Sequence, residues 1–155
     1  RGINGLKKVL LPIAGGPNTR LMLRLSMALA FDPMVRVTVL HLTPQGLDDE
    51  ALEDSHLFIQ EIVESELGSV PSWMNLKVVP AESVSQGILS ETKSDKYDLM
   101  MIGVGNEVFS HRYLFGALDD ALIEEVDCSM LIVRRYQPEM SLWFRNQIRT
   151  LEVVS

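Results

Sequence analysis

"KKVLLPIAGGPNTRLMLRLSMALA", Lys7 to Ala30, passes from a continuous apolar run through a Gly-Gly-Pro turn into residues with helical spacing. The run from Val9 to Ala14 shows no alternation of polar and apolar positions, which is the pattern of a strand covered on both faces. Leu21, Leu25, Ala28 and Leu29 then recur at the period of an amphipathic helix. A doubly covered strand followed by such a helix is the opening of a β-α-β unit.

The same pattern returns along the chain. "VRVTVLHL" (Val35–Leu42), "LMMIGVG" (Leu99–Gly105) and "SMLIVRR" (Ser129–Arg135) are further apolar runs rich in Val and Leu, and "NLKVVP" (Asn75–Pro80) is a weaker fifth. Helical spacing lies between them, at Leu52, Ile59, Ile62, Val63 and Leu67, over Val84 to Lys93, and at Leu114, Leu118, Ala121 and Leu122. Pro33, the "TPQG" turn and "GSVPS" punctuate the units where the periodicity breaks. Strands and helices alternating in this way predict right-handed crossovers and an α/β, doubly wound, five-stranded parallel sheet with helices on both faces.

One domain over residues 1–135 accounts for this pattern, and residues 136–155 form a C-terminal tail that reads as helical. Leu142, Trp143, Ile148 and Leu151 stand there among Arg145 and Arg149. The tail either closes its own domain or contacts a second chain or a remainder of the protein. The chain opens at Arg1 with no charged leader before an apolar core, and it reads as a segment of a longer protein.

Composition narrows the function classes. The chain has 155 residues, 46% of them hydrophobic and 23% charged, and no apolar run approaches the roughly 20 residues that span a bilayer. Direct membrane insertion is therefore not expected. Net charge is −7, and no Lys or Arg occurs between Arg36 and Lys77, an interval holding Asp48, Asp49, Glu50, Glu53, Asp54, Glu61, Glu64 and Glu66. That distribution argues against nucleic acid as a partner and reads as a solvated acidic helix face. The single Cys128 lies in the apolar "CSMLIV", where it reads as an inert thiol compatible with a reducing cytoplasm.

In open parallel sheets a ligand sits outside the carboxyl ends of the strands, where helices diverge to opposite faces. "AGGPN" after strand 1 places Gly15 and Gly16 before a helix that Asn18 or Thr19 can cap, so backbone N–H groups and a helix dipole face one spot. After strand 4, Gly103 and Gly105 permit a positive-φ turn, and Gly116 lies near the start of the last helix. His41 reads as a hydrogen-bonded structural histidine, His56 as exposed on the acidic helix, and His111 as a loop residue beside Arg112. Asp119, Asp120, Glu124 and Glu125 form a polar helix face rather than a metal site, and no catalytic constellation is visible.

The spacing Gly103, two residues, Asn106, nine residues, Gly116-Ala117 resembles the universal stress protein family. Its nucleotide-binding members carry glycine, two residues, glycine, nine residues, then glycine followed by serine or threonine. The resemblance covers Lys7 to Arg135, with "VTVLHL", "YDLMMIG" and "CSMLIVRR" in corresponding places. It implies strand order 3-2-1-4-5, the adenine nucleotide alpha hydrolase-like arrangement.

It also implies a pocket lined by Pro12, Ile13, Ala14, Gly15, Gly16, Leu42, Ile102, Gly103, Gly105, Asn106, Gly116 and Ala117, with ATP or AMP as the candidate ligand. The departures make that pocket degenerate. Ala14 stands where family binders have an aspartate, Asn106 where they have the second glycine, and Ala117 where they have a phosphate-contacting hydroxyl. Three readings follow: a cytoplasmic ligand-sensing or dimerising module attached to a membrane transporter, a free-standing ATP- or AMP-binding stress protein with at most slow hydrolysis, and a structural dimerisation domain. In the family, pairing of the last strands implies a homodimer through Cys128 to Arg134.

Overall fold

A computed structural model describes residues 5–103 and 120–134, the side chains of residues 120 and 121 excepted. Nine elements alternate through them: β1 (Lys8–Pro12), α1 (Thr19–Leu29), β2 (Arg36–Thr43), α2 (Asp49–Leu67), β3 (Met74–Pro80), α3 (Val84–Ser94), β4 (Leu99–Gly103), α4 (Asp120–Glu125) and β5 (Ser129–Val133). The strands form one sheet in the order β3-β2-β1-β4-β5, and every pairing is parallel. The expected doubly wound sheet and its strand order are both present.

Side-chain alternation in the central strands divides the core into two layers. Val9, Leu11, Val37, Val39 and Met101 pack with Met22 and Leu23 of α1 and Ile59 and Val63 of α2. Leu10, Leu40, Met100 and Ile102 pack on the opposite face with Ile88 of α3 and Leu122 of α4. Both faces of β1 are sealed, which is why its sequence is uniformly apolar. At about 25 cal/mol per Å² of apolar surface, each such buried Leu or Val contributes about 1.5–3 kcal/mol before the entropy of ordering is subtracted.

The helix ends follow local chemistry. Asp48 caps α2 by accepting the Ala51 N–H at 2.9 Å, and Asp49 and Glu50 place negative charge at the positive end of its dipole. Ser83 caps α3 through the Gln86 N–H at 3.2 Å. Asn18 behaves differently from expectation. It occupies the N-cap position of α1, but with helical backbone angles and no side-chain capping hydrogen bond, and it is buried against the end of β4.

Two polar groups bind helices across the fold. The Glu66 side chain, 6% exposed at the end of α2, pairs with Arg20 and Arg24 of α1. This corrects the reading of the acidic run as a uniformly solvated face, because a buried carboxylate on α2 draws two cations from the neighbouring helix. On the other layer Glu91 of α3, 4% exposed, accepts the Tyr97 hydroxyl at 2.7 Å and pairs with Lys77 of β3 at 2.6 Å. Burial and the adjacent Glu91 carboxylate push the Tyr97 phenol well above its ordinary range.

Candidate functional site

The carboxyl ends of β1, β2 and β4 converge where α1 and α2 leave toward one face and α3 and α4 cover the other. Ile13 continues β1 by donating its N–H to the Leu40 carbonyl at 2.9 Å, and its own carbonyl accepts from His41 Nδ1 at 3.0 Å. The chain beyond is the exposed turn Ala14 to Pro17. Gly15 has φ +75, a backbone conformation that strains any residue with a Cβ. A Cβ there would also lie 2.9 Å from the Phe58 ring of α2. His41, its ring centroid 5.4 Å from that of Phe58, fills the space beneath. The structural role expected for His41 is therefore present, and His56 is exposed as expected.

The sheet separates the apolar residues expected to line one pocket. Ile13 is 5% exposed and belongs to the layer beneath α1 and α2, whereas Ile102 and the half-buried Leu42 belong to the layer beneath α3 and α4. Ile13 is therefore a core residue on the opposite face of the sheet from Leu42 and Ile102. Its backbone extends β1 in register with the sheet, so its side chain points opposite to those of Pro12 and Ala14. Of the other residues expected there, Pro12 and Leu42 are half-buried and Ala14 is exposed, whereas Ile102, 6% exposed, is as much a core residue as Ile13.

Gly103 is also explained differently. It does not adopt positive φ, and a Cβ on it would lie 2.8 Å from Asn18 Cβ and 3.2 Å from Met22 Cε. Its missing side chain lets α1 approach β4. Gly16, by contrast, has open space where a Cβ would go. Gly105, Asn106, Gly116 and Ala117, with His111, Arg112, Asp119 and the tail 136–155, lie outside the described residues.

Two site features were not anticipated. Gly87, the fourth residue of α3, has no room for a Cβ, which would fall 2.7 and 2.8 Å from the two Leu42 methyls and 2.8 Å from Ala81 Cβ. The signal available in the sequence was a glycine inside a helical pattern. Thr43, at the carboxyl end of β2 and 5% exposed, has an Oγ1 without a hydrogen-bond partner among the described residues, while its carbonyl accepts the Ala81 N–H at 2.9 Å.

Metal and thiol chemistry find little support among the described residues. No group of three or more His, Cys, Asp or Glu side chains is placed to hold a metal ion there. Glu125 of α4 instead faces Lys93 of α3 at 3.3 Å. Cys128 is half-buried, and burial pushes its thiol up and away from the reactive thiolate. No described helix is long and apolar enough to cross a membrane.

No family model and no curated protein sequence matches the chain. Solved structures do match it. A universal stress protein in complex with cAMP aligns with TM-score 0.64 and 14% identity, over 82% of this chain and 96% of that one. The universal stress protein from Archaeoglobus fulgidus in complex with dAMP aligns with TM-score 0.57 and 16% identity, over 82% and 96%. A universal stress protein family member from Arabidopsis thaliana with AMP bound aligns with TM-score 0.55 and 14% identity, over 86% and 94%. The chain therefore has the fold of the universal stress proteins.

Proposed function

We propose that the chain is a universal stress protein-type module that takes an adenine nucleotide weakly at the carboxyl edge of its sheet and acts by sensing that ligand and dimerising. The observation that supports this reading is the make-up of the carboxyl edge of the sheet. Half-buried Pro12 and Leu42 stand at the strand ends beside the exposed Ala14–Gly16 turn, while Ala14, two residues past β1, carries no carboxylate. The cAMP, dAMP and AMP complexes of the structural neighbours support an adenine nucleotide as the ligand class.

Within this reading the module is cytoplasmic, attached to a membrane transporter, and paired through β5. Among the described residues that strand is the sheet edge and pairs with β4 alone, with Leu131 and Ile132 exposed at 40% and 44%. A strand edge with uncovered N–H and C=O groups is a ready pairing surface.

A second reading, a free-standing ATP- or AMP-binding stress protein, is favoured by the same neighbour complexes. Calorimetry with ATP, AMP and a cyclic dinucleotide separates the two. The module reading expects weak heats from the mononucleotides, whereas ATP binding below about 10 µM, roughly −6.8 kcal/mol, selects the free-standing binder.

A further inference from the structure

The outer face of α2 is apolar at its centre and acidic around it. Ile59 and Val63 are buried against the sheet, whereas Leu57 lies on the other side of the helix and is 50% exposed. Residues three, four and seven positions away share its side of a helix. At Leu57 those are Gln60 and the acids Glu50, Glu53, Asp54, Glu61 and Glu64, all exposed.

Most of these acids are unmatched. No Lys or Arg lies between Arg36 and Lys77, so α2 has no cation of its own to set beside them. Gln60 donates to Glu64 at 2.8 Å, but none of Glu50, Glu53, Asp54 and Glu61 has an ion pair among the described residues. Like charges one turn apart, as at Glu50 and Asp54, oppose the helix that holds them. A cationic, apolar segment laid along this face would cover Leu57 and neutralise the acids at once.

The sequence contains such a segment. Residues 141–151, "SLWFRNQIRTL", carry Arg145 and Arg149 among Trp143, Phe144 and Ile148 and hold no Asp or Glu. They lie outside the described residues, but the strand that tethers them does not. The Phe58 ring faces Gly15 in the turn after β1, so this part of α2 stands at the carboxyl edge of the sheet, the edge at which β5 also ends. β4 and β1 separate β5 from β2, about 14 Å at about 4.8 Å per strand, whereas the chain from Arg134 to Ser141 extends up to about 24 Å. A tether of that reach gives the segment an effective concentration of about a millimolar, which favours it over a separate partner of the same chemistry.

We infer that residues 141–151 of the same chain dock on the outer face of α2, with Arg145 and Arg149 against its acids and an aromatic ring over Leu57. The contact is charge-dependent, since the acids are exposed and salt screens them.

The test uses the full chain in three forms: wild type, Leu57→Ser, and Glu53→Lys with Glu61→Lys. Limited trypsin digestion reads cleavage after Arg145 and Arg149, and thermal unfolding confirms that each form is folded. Cleavage at both sites is expected to be at least about tenfold slower in wild type than in either variant, and to accelerate in wild type as salt is raised. In a Trp73→Phe background, where Trp143 is the remaining tryptophan, its emission is expected to move to the red in both variants. Should Trp73→Phe not fold, the digestion of the unmodified chain decides alone.

Wild-type cleavage as fast as in the variants overturns the inference. Protection that neither variant changes places the segment elsewhere and overturns it as well. Protection that fades on dilution shows the segment reaching a second copy, which also contradicts docking within one chain.

Discussion

His41 on β2 donates from Nδ1 to the carbonyl oxygen of Ile13, 3.0 Å away at the end of β1. A carbonyl only accepts, so the proton on Nδ1 is assigned by its partner. Since the Ile13 N–H is bonded to Leu40, β2 holds both polar groups of the last residue before the Ala14–Gly16 turn. His41→Phe keeps a ring beside Phe58 and leaves that carbonyl without its donor. The expected result is a loss of about 1–2 kcal/mol, with faster amide exchange in the turn. Unchanged stability and exchange would show that the bond does not position the loop.

Thr43 presents the opposite case. Its buried Oγ1 has no partner among the described residues, and a buried hydroxyl that stays unpaired costs free energy. Thr43→Val has nearly the same volume and is expected to raise stability by about 1 kcal/mol, or about 3 °C in Tm. A fall in Tm would mean that the hydroxyl is satisfied in solution.

The Asp98 carboxylate accepts the N–H groups of Lys7 at 2.8 Å and Lys8 at 2.9 Å, and these two bonds hold it below the usual carboxylate range. The folded state therefore binds this proton less readily than the unfolded state, whose Asp titrates near 3.9. Its contribution to stability is fully present above about pH 4 and is lost as pH falls through the lowered value. Asp98→Asn should flatten the acid limb of the stability profile while leaving its neutral shape intact. An acid limb identical to wild type in a denaturant series from neutral pH downward would contradict this.

Much of this fold was legible because the strands are covered on both faces and so read as apolar runs. β3 was the faintest since Lys77 interrupts it, and the reason lies 14 residues away in Glu91, whose buried carboxylate holds that ammonium. Glu66 looked like one more solvated acid because its partners, Arg20 and Arg24, sit on another helix. The candidate site was less legible. Gly103 suggested a positive-φ turn, but its glycine is required by the approach of Asn18, a contact across the fold that local spacing does not encode. The division of Ile13 from Leu42 and Ile102 likewise follows from which face of the sheet each residue meets.

Pairing through β5 is tested at positions that leave the core alone. Val133 is 4% exposed in the α1–α2 layer, so the probes are Leu131→Lys and Ile132→Lys, on exposed side chains. Each is expected to shift a sedimenting dimer toward monomer without lowering the Tm of the domain by more than about 0.5 kcal/mol equivalent. Wild type that sediments as a monomer at tens of micromolar contradicts the pairing.

The most direct measurement is a calorimetric titration of ATP into wild type and into the variant carrying Ala14→Asp, Asn106→Gly and Ala117→Ser. Each missing hydrogen bond to a charged group is worth about 1.5–3 kcal/mol, so two lost polar groups weaken binding by about two to four orders of magnitude. The account predicts a wild-type Kd weaker than about 10 µM and a triple variant at least about tenfold tighter. Wild-type binding tighter than about 10 µM, or a folded triple variant with no gain in affinity, would contradict it.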